Sequence, residues 1–142
     1  MALNYILKDI KTMLVNQGFT ADDIVISTVI EQPTDDTSLQ NAIFLIPEST
    51  QANVSNYQTF DFALYLRRAD VETANTDSRT IFEYLNGKRG NIGLVSAGYA
   101  KILWIEVKAQ PYTYSVRTTG GNLTEIAMKF TINYINTDFD NI

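Results

Sequence analysis

The sequence predicts an α+β domain, a mainly antiparallel sheet of about five or six strands with two helices packed on one face. Three observations lead there. Two segments carry apolar residues at steps of three and four, the period of a helix buried on one side. Several others either alternate apolar with polar residues or run through β-branched residues, as strands do. The connections between these strands are mostly of hairpin length, which favours antiparallel pairing.

The first helix is expected over residues 3–17. Leu3, Ile6, Leu7, Ile10, Met13 and Leu14 line one stripe, with Asn4, Lys8, Asp9, Lys11 and Thr12 on the other side, until Gly18 stops the helix. After a turn over residues 20–23 comes Ile24-Val25-Ile26-Ser27-Thr28-Val29-Ile30. Its branched side chains lose rotamer freedom in a helix and fit a pleated sheet. Residues 31–38 are acidic and broken by Pro33, and a second strand over residues 42–46 is expected to end at Pro47. In the third, Phe60, Phe62, Leu64 and Leu66 alternate with Asp61, Ala63, Tyr65 and Arg67, so one face is buried. Thr76 or Asp77 is placed to cap the second helix, which carries Ile81, Phe82, Tyr84 and Leu85 and ends at Gly87.

A glycine-rich turn over residues 88–98 leads into residues 102–108. Their apolar groups on both faces (Ile102, Leu103, Trp104, Ile105, Val107) predict a central strand. Pro111 breaks that pattern, residues 112–122 read as a loop with Gly120-Gly121, and the last strand alternates Ile126, Met128, Phe130, Ile132 and Tyr134 with polar residues.

With 142 residues, the chain is expected to form one domain over residues 1–142. A charged share of 19%, below the usual quarter, points to surface reserved for contact with protein. The chain has no cysteine, hence no disulfide framework and no thiol nucleophile. A basic leader and an apolar stretch of membrane-spanning length are not seen, so an unprocessed soluble protein without a membrane partner is expected. The formal net charge of −5 argues against a continuous phosphate-binding face.

Histidine is also missing, which removes the side chain best suited to proton transfer near neutral pH. The carboxylates Asp22-Asp23, Asp35-Asp36 and Asp138 with Asp140 lie in polar segments and read as solvated charges, because a perturbed carboxylate needs burial or a fixed neighbour. Glu31, Asp35 and Asp36 lack the spacing and glycine of a calcium loop. Gly87, Gly90 and Gly93 follow a helix and precede a strand, the reverse of a nucleotide-binding order. No catalytic residue, metal site or cofactor is expected.

Arg67-Arg68 and Lys88-Arg89 are the adjacent basic pairs. Lys88-Arg89 complements the negative end of a helix dipole; alternatively, both pairs turn toward a shared channel or an acidic partner, since a ring of identical subunits multiplies a two-charge feature into a belt. Pro111, Tyr112 and Tyr114 are candidates for an interface, because tyrosine buries area at small entropic cost while its hydroxyl finds a partner; a local tuck over the sheet edge is the other reading. Asp35 and Asp36 belong with them as candidate contacts.

Residues 78–86 followed by Gly87-Lys88-Arg89, the strand at 102–107, then Ala109-Gln110-Pro111-Tyr112, a glycine turn and the alternating strand at 125–135 resemble the minor capsid and tail-terminator proteins of long-tailed bacteriophages. The amino-terminal helix ending in Gly18, with a strand after it, is similar in order. The chain departs from the family at Thr113-Tyr114-Ser115-Val116-Arg117, where glycine and acidic residues are usual. The resemblance implies a structural virion protein, not an enzyme: a homo-oligomeric ring, a hexamer in that family, that caps the tail tube and joins it to the head connector. Its partners are then copies of itself, the tube protein and the connector or stopper protein, with DNA passing through unbound. Its place is the tail end nearest the head, after assembly in the host cytoplasm. The other readings are a head-completion or stopper subunit of the same particle, a small carboxylate-based enzyme, and a monomeric binding module.

Overall fold

The computed structural model describes residues 2–27, 41–52, 57–88, 100–117 and 123–136. The amino-terminal apolar stripe winds into α1 (Ala2–Asn16), with Ile6, Leu7, Ile10, Met13 and Leu14 buried and Lys8 exposed. Gly18 ends it with φ 104°. Its N–H donates to the Val15 carbonyl at 2.9 Å, and the Phe19 N–H reaches back to Leu14 at 3.2 Å. These two bonds satisfy carbonyls that the helix leaves open, and Phe19 packs on the core.

A single 3-10 turn (Ala21–Asp23) leads into β1 (Ile24–Ile26). Residues 28–40, with Asp35 and Asp36, lie outside the described residues. β2 (Ile43–Ala52) does not end at Pro47 as expected. Its register against β3 (Tyr57–Arg68) shifts between Pro47 and Ser49, a bulge that accommodates a residue without an N–H to give to the ladder.

α2 (Val71–Leu85) begins earlier than expected, capped by Asp70 and not by Thr76 or Asp77. The Thr73 N–H donates to Asp70 Oδ1 at 2.7 Å and the Thr73 hydroxyl to Oδ2 at 2.9 Å. These bonds, the backbone one first, hold the Asp70 carboxyl below its ordinary value of 3.8. Periodicity was silent over this first stretch because Ala74 is its one buried apolar residue before Ile81.

The sheet is completed by β4 (Ala100–Arg117) and β5 (Leu123–Asn136), in the order β1-β2-β3-β5-β4. β1 and β2 run parallel and every other pair is antiparallel. The stretch 102–108 is therefore at an edge, which corrects the expected central position. Its two apolar faces have a local cause: the turn after α2 clasps its outer side. The Gly87 N–H donates to the Ile105 carbonyl and the Ile105 N–H to the Lys88 carbonyl, both at 2.8 Å, with Gly87 at φ 79°. Pro111 does not end β4 either. The strand continues through Tyr112 and Tyr114, so the expected loop is strand as far as Arg117. The register slides between Ala109 and Tyr112, opposite Lys129 and Ala127, and the proline sits in that bulge of an edge strand.

One core holds the molecule together. Phe60, Phe62, Leu64 and Leu66 of β3 and Ile126, Met128, Phe130, Ile132 and Tyr134 of β5 share a cluster with the buried residues of both helices. Both helices thus cover the same face, as expected. Phe62 and Phe130 stack at 5.6 Å between centroids, and Phe82 of α2 lies tilted on Phe130 at 6.2 Å. Alternation sends Asp61, Ala63, Tyr65 and Arg67 of β3 and Glu125, Ala127, Lys129, Thr131 and Asn133 of β5 to the opposite, outer face.

Candidate assembly surfaces

Arg67 and Arg68 are separated by the pleat. Arg67 points to the outer face, where it is 1% exposed; its Nη2 and Nε donate to Glu125 Oε2 at 2.9 and 3.3 Å. Glu125 is its register partner on β5, and the guanidinium carbon lies 5.2 Å from the Phe44 ring centroid. Arg68 points to the helix side, where Nε meets Asp77 Oδ2 at 2.7 Å and Nη1 donates to the carbonyls of Asn41 and Arg67. Both guanidinium groups are thus turned to carboxylates of their own chain.

Lys88 stands with its ammonium 4.1 Å from the Tyr84 ring centroid, and Arg89 lies outside the described residues. Lys88 is thus half-buried at the end of α2, in the place that complements the helix dipole.

Across the outer face, charged and polar side chains are joined strand to strand. Lys108 of β4 meets Asp61 Oδ2 at 2.6 Å, and the Thr131 hydroxyl donates to Asp61 Oδ1 at 2.6 Å. Lys129 reaches Glu48 at 3.1 Å, a hydrogen bond and opposite charge that together raise the ammonium above its ordinary value of 10.5. Asn133 donates to Glu106 at 3.4 Å. On this face the cations paired with acids span β2 to β4, so most of its charge is matched strand to strand.

The bulge in β4 opens a cleft against α2. It holds about 360 Å³, with Phe82, Pro111 and Ile126 as apolar lining and Asn75, Ser78, Arg79, Gln110 and Thr113 as polar lining. Tyr112 also lines it and is 43% exposed, an unusual state for a large ring. Arg79 is 76% exposed and, among the described residues, held by Glu83 at 3.8 Å, one helical turn on. Among the described residues, no carboxylate lines this cleft. Of the expected interface residues, then, Pro111 and Tyr112 come together at one place; Tyr114 is two strand positions farther on, and Asp35 and Asp36 are not among the described residues.

Sequence reasoning missed Arg79 and Phe82 as partners of Pro111. The signal was present in part: Asn75, Arg79 and Phe82 follow steps of four and three along one helix flank. Nothing in the linear pattern says that this flank meets a bulge some thirty residues later. Among the described residues, no three His, Cys, Asp or Glu side chains converge as a metal ion requires, and no helix is long and apolar enough to cross a membrane.

No protein-family model matches the sequence, and no curated protein does. Among solved structures, the chain is similar in fold to one described as "Virion of native gene transfer agent (GTA) particle". The TM-score is 0.64 and the sequence identity 13%, over 95% of this chain and 97% of that one. The architecture that carries the Pro111 cleft and the paired outer face is therefore, from end to end, one that also occurs in a chain of a virion particle.

Proposed function

We propose that this protein is a structural subunit of a tailed-phage-like virion, and within it a tail terminator: a ring of identical copies that caps the tail tube and joins it to the head connector. The observation that carries the reading is the near-complete overlap in fold, 95% against 97% of the two chain lengths, with a chain from a gene transfer agent virion. Such overlap means that the whole chain, not a grafted piece, is of the size and topology used there. The sequence resemblance to tail terminators over residues 78–135 supports the finer assignment.

The surfaces support an assembling role. A ring requires two different complementary patches on each copy. The helix-side cleft beside Tyr112 is one candidate patch, and the partly exposed Lys108–Asp61 and Lys129–Glu48 pairs on the other side of the sheet offer a second. Among the described residues, no carboxylate lines the cleft and Asp61 and Glu48 of the other face are paired with lysines, and we assign the protein no catalytic activity. DNA passes such a ring without specific contacts, which suits a chain of net charge −5.

Size-exclusion chromatography with light scattering, combined with negative-stain imaging, tests the proposal. A closed ring whose addition halts elongation of the tube protein is the expected result. A monomer that persists at high concentration and with tube protein present overturns it. A ring that binds the connector but ignores the tube assigns the chain instead to a stopper or head-completion role.

A further inference from the structure

From the Pro111 cleft we infer that one copy receives residues 138–140 of a neighbouring copy, with Phe139 entering between Phe82, Pro111 and Ile126 and the flanking acids meeting Arg79. The inference deepens the ring reading and rests on it, because it names what one subunit offers the next.

The cleft has a form that an extended acidic segment with one aromatic residue fits. Its volume of about 360 Å³ is enough for a phenyl ring, and its apolar lining comes from α2, β4 and β5 together. Arg79, exposed and held at 3.8 Å by Glu83, supplies a cation, while Asn75 and Ser78 add polar groups beside it. Among the described residues, no carboxylate of the lining repels an acidic visitor.

The chain carries one matching segment beyond its described residues. Asp138-Phe139-Asp140 places an aromatic residue between two acids, whereas the acidic residues 31–38 contain no aromatic residue at all. Reach then makes the contact intermolecular. Ile126 lines the cleft and Asn136 ends β5, ten residues later. At a rise of about 3.4 Å per residue the end of the strand is roughly 34 Å from the cleft. Phe139 follows Asn136 by three residues. Fully extended, these cover at most about 11 Å, so a chain cannot fill its own cleft. A head-to-tail contact of this kind is heterologous and closes into a ring when the rotation between copies allows.

The test uses the full-length chain throughout. A fluorescent peptide of residues 134–142 is titrated by anisotropy into the Phe139→Asp chain, whose cleft is intact and whose own segment is disabled. Saturable binding is expected. It should be weakened about tenfold to a hundredfold when the peptide carries Phe139→Ala, as follows from burying one phenyl ring. The exposed Arg79→Glu substitution in the receiving chain should also weaken it, more at low salt than at high salt. In parallel, light scattering should show Phe139→Asp and Arg79→Glu chains shifted to smaller species than the unmodified chain, with unchanged circular dichroism. No peptide binding, or binding indifferent to both Phe139 and Arg79, overturns the inference. Rings that form equally well with either variant also overturn it while leaving the ring itself standing; an unmodified chain that stays monomeric instead overturns the ring reading.

Discussion

Arg67 and Arg68 show how far one position along a strand changes the surroundings of a charge. On the outer side, Arg67 and Glu125 are both buried and bonded to each other, so each removes the cost of burying the other. Glu125→Ala should destabilise the fold by about 3–5 kcal/mol in urea denaturation, because it takes the Glu125 carboxylate away from a buried guanidinium. Replacing both residues with leucine or methionine should cost much less. Asp70 makes a different point. Its carboxyl is depressed by Thr73, so its contribution to stability is complete above the unfolded value near 3.8 and is lost as the pH falls through the lower folded value. The melting temperature of Asp70→Ala should therefore lie below that of the unmodified chain at pH 7, with the gap shrinking below about pH 3.8.

At the scale of elements, Gly18 is the clearest single determinant. A Cβ there meets nothing within 4 Å, so the case for glycine is conformational, a φ of 104°, and not steric crowding. Gly18→Ala should cost about 1–2 kcal/mol by thermal denaturation, since an L-residue resists that backbone region. α1, β3 and β5 were legible in the sequence because the apolar residues that each gives to the core repeat with one clean period. The start of α2 was not: Glu72, Thr73, Asn75 and Thr76 face water, leaving Asp70 as a cap without an apolar stripe to announce it. β4 misled in two ways. Its apolar groups on both sides imitate a central strand, and Pro111 imitates a terminator, whereas an edge position with a bulge tolerates both features. The candidate site was half legible for the same reason. Pro111 and Tyr112 stood out as residues, but the cleft that gives them meaning is assembled with the far flank of α2.

At the scale of the whole molecule, net charge governs how copies approach. The value of −5 at neutral pH keeps unassembled chains apart, and it vanishes near the sequence isoelectric point of about 4.6. Light scattering along a descending pH series should show non-specific association rising toward that point. The hydrogen bonds that Gly87 and Lys88 make to Ile105 bear on what that assembly can become. An outermost strand with a free backbone is a template for endless stacking into fibrils, and here two residues from a helix exit already occupy its middle. Polymerisation through the backbone is obstructed at that point of β4; in the ring we propose, copies that meet there do so by side chains, the kind of contact that yields an object of finite size.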